Sequence, residues 1–149
     1  MKTNHSIAKN PELITRAIII HRGKILLCTG IGTKRYFLPG GHIEMFETCD
    51  DALKREIKEE LGISVKKQTL VGMVENFYYD GKKNRHEINM VYLVKPSKYE
   101  IRSQEDHLEF HWIPVAKTQK VSALPKPLFK VITAWVKNKK FFVITVDGR

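Results

Sequence analysis

The chain has 149 residues, a length typical of one domain whose core needs neither disulfides nor a structural metal. Its net charge of +10 favours anionic partners such as nucleotides, RNA or acidic membrane surfaces. A basic surface that only keeps the protein soluble explains the charge equally well. The Lys and Arg residues are scattered along the chain and do not form one block, so no nucleic-acid-binding motif is visible.

The two cysteines and the apolar segments bear on the cellular compartment. Cys28 and Cys49 form neither a C-x-x-C pair nor a metal-ligand pattern, so we expect both to be small packing residues in a reducing environment. Residues 1–13 lack the apolar core of a signal peptide, and no run of 18 apolar residues occurs. These features predict a soluble, cytoplasmic protein without a membrane-spanning segment.

The first third of the chain predicts a polar lead-in followed by strands. Residues 1 to about 12 are polar and are expected to be a loose N-terminal lead-in. Two β-rich runs, 14–20 and 24–28, flank His21-Arg22-Gly23 and predict a hairpin with glycine at its turn. A short apolar run, 36–38, ends at the Gly40-Gly41 turn.

A helix is predicted from about Cys49 to Leu61. Thr48 is a suitable N-cap, and Gly62 is a residue that ends helices. An apolar stripe at i, i+4 and i+8 can face a core, and it consists of Leu53, Ile57 and Leu61.

The remaining elements complete a mixed α/β pattern. Strands are predicted at 70–74, 77–79, 86–94 and 108–113, a second helix from 125 or 127 to 137, and a short strand at 141–146. The order β-β-β-α-β-β-β-α predicts a single α/β domain over residues 1–149, with helices packed on a mixed sheet.

The predicted helix concentrates negative charge on one face. Glu56, Glu59 and Glu60 occupy positions i, i+3 and i+4, where each like-charged pair costs about 0.2–0.5 kcal/mol. A hard divalent cation with oxygen ligands would relieve this repulsion. Composition alone favours the alternative of a solvated acidic face interspersed with Lys54 and Lys58.

The stretch from Gly41 to Ile63, GHIEMFETCDDALKREIKEELGI, resembles the Nudix box. The family pattern is G-x5-E-x7-R-E-U-x-E-E-x-G-U, where U is a bulky aliphatic residue. Every specified position matches, including seven fixed identities, so the resemblance is specific although it covers only this stretch. It implies a Nudix-like α/β/α sandwich, with a mixed sheet packed between helices.

The resemblance also implies roles for residues of the box. Glu56, Glu59 and Glu60 would bind Mg²⁺, with Mn²⁺ as a substitute, and the Gly41 carbonyl would be a further ligand. Catalysis would involve the same three carboxylates, and Glu60 is our choice as the base. Glu47 and Arg55 would form a structural pair that holds the loop against the helix, and Gly62 would also be structural.

Residues outside the box are needed for the rest of a site. Similar enzymes take a further acidic ligand or base from a separate loop, for which we favour Glu105 over Asp106 and Glu109. Glu87, His86 and His42 are weaker candidates. The simpler interpretation is that Glu87 and His86 are polar residues at a strand edge and that His42 is an ordinary loop residue. For substrate binding we select Arg16, Lys34 and Arg35, because Arg and Lys bind phosphate. The aromatic run 77–79 could stack on a base. The better-supported interpretation is that these residues are the half-buried aromatic side chains of a strand.

The resemblance implies Mg²⁺-dependent hydrolysis of a pyrophosphate bond in a nucleoside diphosphate linked to another group. A nucleoside triphosphate, a nucleotide sugar such as ADP-ribose, a dinucleoside polyphosphate and an RNA 5′ end all remain open. The alternative is a non-catalytic nucleotide- or RNA-binding module with the same fold. The partner is expected to be a small nucleotide; RNA has no supporting motif, a membrane is not expected, and a homodimer is left open.

Overall fold

The computed structural model describes residues 10–149. The greater part of the expected lead-in therefore lies outside the described residues. Its last residue, Glu12, already belongs to the first strand, where it pairs with Glu87. The expectation of a loose segment up to residue 12 is wrong at this end.

Eight strands and two α-helices follow one another along the described chain. They are β1 (Glu12–Ile18), β2 (Ile20–His21), β3 (Lys24–Gly30), β4 (Gly40–His42), α1 (Cys49–Leu61), β5 (Val65–Tyr79), β6 (Asn84–Pro96), β7 (Leu108–Pro114), α2 (Lys126–Asn138) and β8 (Phe142–Asp147). A 3-10 segment, Val115–Lys120, separates β7 from α2 and was not predicted.

The strands form two sheets. The larger one has the order β4-β1-β6-β5-β8 and is mixed, because β1 and β6 are parallel, as are β5 and β8. The smaller one has the order β2-β3-β7 and is antiparallel. The predicted hairpin is confirmed as β2–β3, but the predicted run 14–20 is divided, since the chain passes from one sheet to the other at Ile19.

One predicted break in the sheet does not exist. The separate strands expected at 70–74 and 77–79 are parts of β5, which runs without interruption for 15 residues. Glu75 and Asn76 suggested a gap, yet they continue the ladder opposite Ile88 and Glu87.

Two apolar cores lie on opposite sides of the strands. Ala17, on β1, contributes to the core under α1, whereas its neighbour Ile18 contributes to the core under α2. This alternation follows from the period of two in a strand. The helices therefore cover both faces, and the predicted mixed α/β fold, with its sheet between helices, is confirmed.

The boundaries and the apolar stripe of α1 are as predicted. Thr48 accepts a hydrogen bond from the Asp51 N–H at 3.1 Å, and Gly62 adopts a left-handed conformation with φ of 66°. The fully buried stripe packs against strand residues such as Ala17 and Tyr92 and consists of Leu53, Ile57 and Leu61. One face of α1 is thus fixed to the core, which orients the neighbouring face.

Neither cysteine forms a disulfide. Cys28 is fully buried in β3 and Cys49 is half-buried at the start of α1. Burial raises the pKa of the Cys28 thiol, so this residue stays protonated and packs as an apolar group. Among residues 10–149, no helix is both long enough and apolar enough to cross a membrane.

The loop between β4 and α1 contains an unusual backbone conformation. Phe46 has a φ of 65°, a region that bulky residues rarely adopt. Its side chain is 102% exposed, so packing does not compensate for the strain. The neighbouring Met45 is also exposed.

Two substitutions at left-handed positions are expected to have opposite effects. Phe46→Gly should be neutral or stabilise by up to about 1 kcal/mol, because glycine removes the strain and no buried contact is lost. Gly62→Ala should destabilise by about 1–2 kcal/mol, because it introduces the same strain at the helix end. Urea unfolding of both variants tests this, and destabilisation of similar size in both would contradict it.

Candidate active site

The Gly-Gly turn is held at the edge of the larger sheet. In the pairing of β4 with β1, Gly40 lies opposite Arg16 and Gly41 opposite Thr15. The Ala17 N–H donates to the Pro39 carbonyl at 2.8 Å, so β1 also holds the residue that precedes the two glycines. The Thr15 hydroxyl donates to the Gly41 carbonyl at 3.4 Å.

Gly41 is in close contact with α1. A Cβ atom at this position would lie 2.3 Å from the Glu56 carboxyl carbon, a separation that no real side chain could occupy. Glycine therefore lets the Glu56 carboxylate lie directly against the turn, and a side chain at position 41 would displace this carboxylate. The arrangement brings the Gly41 backbone and the Glu56 side chain together, as the box predicts.

Glu60 is a buried carboxylate beside this turn. It is 7% exposed, and its Oε2 accepts a hydrogen bond from the Gly40 N–H at 3.2 Å. Burial raises its pKa to about 7, with a further increase from the negative charges of Glu56 and Glu105. The Gly40 N–H and the positive Arg16 act in the opposite direction.

The other two carboxylates of the acidic face contact a cation from their own helix. Arg55 Nη1 donates to Glu56 Oε1 at 2.9 Å and to Glu59 Oε2 at 3.2 Å. The Glu56 side chain is 15% exposed, whereas that of Glu59 is 51% exposed. Arg55 therefore neutralises part of the repulsion that the spacing predicts.

Arg55 also connects α1 to the loop before it. Its Nε and Nη2 donate to the two carboxylate oxygens of Glu47 at 2.7 and 2.9 Å, a bidentate pair. These hydrogen bonds, with a further one that the Glu44 backbone N–H donates to Glu47 Oε2 at 3.0 Å, lower the pKa of Glu47 to about 2. Arg55 Nη2 also donates to the His42 carbonyl at 2.9 Å, at the end of β4.

The acidic face has the donor chemistry of a divalent-metal site but not a preformed geometry. Within residues 10–149, no group of three or more His, Cys, Asp or Glu side chains is arranged to hold a metal ion. The reason is visible in the contacts, because Arg55 binds Glu56 and Glu59 while Gly40 binds Glu60. The donor set nevertheless fits Mg²⁺, since it consists of carboxylate oxygens beside a backbone carbonyl. One of the carboxylates, Glu60, is buried next to other negative charges, so a cation would stabilise its charged form.

Glu105 is the candidate from outside the box that the structure brings towards this group. The Gln104 N–H donates to the Glu60 carbonyl at 2.9 Å, which fixes this loop at the end of α1, and the charge of Glu105 acts on Glu60. Asp106 is exposed, and Glu109 lies 3.8 Å from His111 on β7.

The three substrate-binding candidates differ in position. Arg16 is half-buried, donates to Asn89 Oδ1 at 3.2 Å and to the Leu38 carbonyl at 3.1 Å, and acts electrostatically on Glu60. Lys34 and Arg35 are exposed in the segment before β4, and neither forms a recorded ion pair with another described residue. Of the three, Arg16 is thus the residue whose charge lowers the pKa of Glu60.

A polar network beside Arg16 was largely missed from the sequence. Asn89 Nδ2 donates to Glu87 Oε2 at 3.2 Å, and the Tyr78 hydroxyl donates to Glu87 Oε1 at 2.7 Å. Glu87 and Asn89 are 7% and 5% exposed. The sequence indicates Glu87 and Tyr78 for other roles and does not indicate Asn89. The signal for Glu87 and Asn89 is their spacing of two residues in β6, which places both side chains on the face of Arg16.

The weaker candidates have contacts of other kinds. His86 lies 3.0 Å from Glu75 and stacks on Phe77, whose ring also contacts Arg149. His42 has an exposed side chain 3.6 Å from Glu12. None of these contacts involves the carboxylates of α1.

Comparisons with known proteins identify the family of the chain. The model of the NUDIX domain family matches residues 11–134. An ADP-ribose pyrophosphatase of Methanocaldococcus jannaschii is 28% identical over 100 residues, which cover 67% of this chain and 58% of that protein. A nucleoside triphosphatase NudI of Escherichia fergusonii is 33% identical over 110 residues, covering 64% of this chain and 77% of that protein. The match thus spans less than two thirds of the archaeal relative.

Solved structures show the same fold. A MutT NUDIX hydrolase from Burkholderia pseudomallei has a TM-score of 0.63 and 32% identity, with coverage of 72% of this chain and 86% of that one. A MutT protein from Bacillus halodurans has a TM-score of 0.75 at 21% identity, covering 90% and 88% of the two chains. With the family match over most of its length, the chain belongs to the Nudix hydrolase family and is MutT-like.

Proposed function

We propose that this protein is a Mg²⁺-dependent hydrolase of a pyrophosphate bond in a nucleoside diphosphate linked to another group. The observation that carries the proposal is the buried Glu60 carboxylate, held by the Gly40 N–H beside the close contact of Gly41 with Glu56. The names of the relatives, an ADP-ribose pyrophosphatase and a nucleoside triphosphatase, make ADP-ribose and nucleoside triphosphates the first substrates to test.

The metal would be held by Glu56, Glu59, Glu60 and the Gly41 carbonyl. When bound, Mg²⁺ neutralises phosphate charge and activates a water for in-line attack, and Mn²⁺ could replace it. To bind it, Glu56 and Glu59 have to exchange part of their contact with Arg55 for the metal. Glu105, which lies in the loop fixed to the end of α1, is proposed as a further acidic ligand or base.

Glu60 is proposed as the proton acceptor. Its Oε2 is fixed by Gly40, whereas its Oε1 has no recorded hydrogen bond within the described chain. A carboxylate held in one orientation, with one free oxygen, can take a proton from a water placed beside it. Glu60 would then release the proton to solvent.

Positive side chains would position the phosphates. Arg16 is proposed to bind them because its charge already acts on the carboxylate site, and Lys34 and Arg35 are proposed to attract the substrate from the preceding loop. Glu47 and Arg55 are proposed as positioning residues, since their bidentate pair fixes the start of α1 to the loop after β4.

Glu60→Gln should lower kcat by about 10²–10⁴-fold, because the amide cannot accept the proton. The measurement is steady-state hydrolysis with Mg²⁺ on ADP-ribose and a panel of nucleoside triphosphates, with both products identified. Glu100→Gln, an exposed loop residue with the same chemical change, is the matched control and should retain activity. Equal activity of Glu60→Gln and wild type would contradict the role of Glu60, and no turnover by wild type on any substrate would favour a nucleotide-binding module.

The Glu47–Arg55 pair should make stability depend on pH in a defined direction. The pKa of Glu47 is lowered from 4.5 to about 2, so the pair's contribution is present above pH 4.5 and is lost as the pH falls through about 2. In urea unfolding, wild type should be more stable than Glu47→Gln at pH 7, and the difference should disappear near pH 2. A difference that did not change with pH would show that this ion pair is not its source.

A further inference from the structure

The net positive charge is largest near the C-terminal end, because acidic residues are absent there while basic residues are about as frequent as elsewhere in the chain. Between Glu109 and Asp147 there is no Asp, Glu or Arg, whereas there are seven lysines. These residues form the end of β7, the 3-10 segment, α2 and most of β8. The segment therefore contributes +7 of the net charge of +10.

The lysines of this segment lie on its outer surface. The apolar residues of α2 face the core, and they include Leu128, Phe129, Ile132 and Trp135. The opposite side of the helix carries Lys126, Lys130 and Lys137, all exposed, over a length of about 16 Å at 1.5 Å per residue. Lys117 and Lys120 add two exposed charges from the adjacent 3-10 segment. We call these five lysines the basic face.

No carboxylate neutralises the basic face. In the part of the chain that the structure describes, each recorded ion pair uses an Arg or a His, and none uses a Lys. Lys126 and Lys130 are also at i and i+4, a spacing at which like charges repel. The basic face is thus electrostatically unfavourable alone and would be stabilised by a bound polyanion.

The basic face adjoins a groove between the 3-10 segment and the first turns of α2. The groove has a volume of about 430 Å³, and its lining includes Gln119, Val121 and Phe129 together with Lys126 and Lys130. Phe129 is 1% exposed, and the Gln119 amide N–H donates to the Thr133 hydroxyl at 3.4 Å. The groove therefore offers two ammonium groups, the Gln119 amide oxygen and the half-buried Val121. A nucleotide has the matching chemistry, because its base has a polar edge and an apolar face and is attached to phosphate.

We propose that the basic face binds the phosphate backbone of a single-stranded nucleic acid, with nucleotides entering the groove. This binding is separate from pyrophosphate hydrolysis and does not require it. The outward residues of α2 between the lysines are small or polar, such as Pro127, Ala134 and Asn138, so the helix itself provides no large apolar side chain for insertion into a membrane. The exposed apolar side chains of this segment lie outside the helix, at Leu124, Phe141 and Val143.

The test is fluorescence anisotropy of a labelled, unstructured 20-nucleotide RNA with the full-length protein at several salt concentrations. The variant is Lys120→Gln, Lys126→Gln and Lys130→Gln combined. The control is Lys66→Gln, Lys82→Gln and Lys98→Gln, which removes the same charge from other exposed sites. The first variant should bind at least about ten-fold more weakly, with the salt slope of log K reduced by about 2, since each single-strand phosphate contact contributes about 0.7.

The outcomes distinguish the proposal from its alternatives. Equal weakening by both variants would overturn it in favour of non-specific attraction by net charge. Binding to phosphatidylserine vesicles without binding to RNA would assign the basic face to a membrane instead. As a measurement that does not depend on variants, acetylation of wild-type Lys126 and Lys130 should slow when RNA is bound, and an unchanged rate would contradict the proposal.

Discussion

The geometry of the site depends on the guanidinium group of Arg55. It joins three parts of the chain that are separate in sequence: Glu47 in the loop, the His42 carbonyl at the end of β4, and Glu56 and Glu59 on its own helix. An acidic helix face without a cation would be destabilised by the repulsion of its carboxylates. Because Arg55 supplies a positive charge internally, α1 can fold with its carboxylates gathered, and the proposed metal then competes with Arg55 for Glu56 and Glu59.

The second constraint is the steric fit between the turn and the helix. Strand β1 holds Gly40 and Gly41 in register, and the apolar stripe of α1 fixes that helix on the same sheet. The space between turn and helix at position 41 is filled by the Glu56 carboxylate, which any side chain there would displace. The core packing of α1 therefore determines where Glu56 and Glu60 lie relative to the Gly41 carbonyl. Core packing therefore positions the proposed catalytic residues, most of which are buried or half-buried.

The sequence predicted what depends on local chemistry and missed what depends on distant pairing. The limits of α1, its Thr48 cap and its apolar stripe follow from short-range rules, and the structure confirms them. The division of the strands into two sheets and the inclusion of Glu12 in β1 depend on partners far along the chain. The hydrogen-bonded group of Tyr78, Glu87 and Asn89 likewise requires the register of β5, β6 and β1. The carboxylates of the box could be named in advance, but their contacts with Arg55 and Gly40 could not all be derived from spacing.

The most direct measurement is calorimetric titration of Mg²⁺ into wild type and into Gly41→Ala at neutral pH. The added methyl group would displace the Glu56 carboxylate without removing any charged group. We expect wild type to bind Mg²⁺ and Gly41→Ala to bind it at least about ten-fold more weakly, as for other changes that misplace a ligand. Far-UV circular dichroism should show that the fold of the variant is retained. Equal affinity of the two proteins would contradict the claim that the contact between Gly41 and Glu56 forms the metal site.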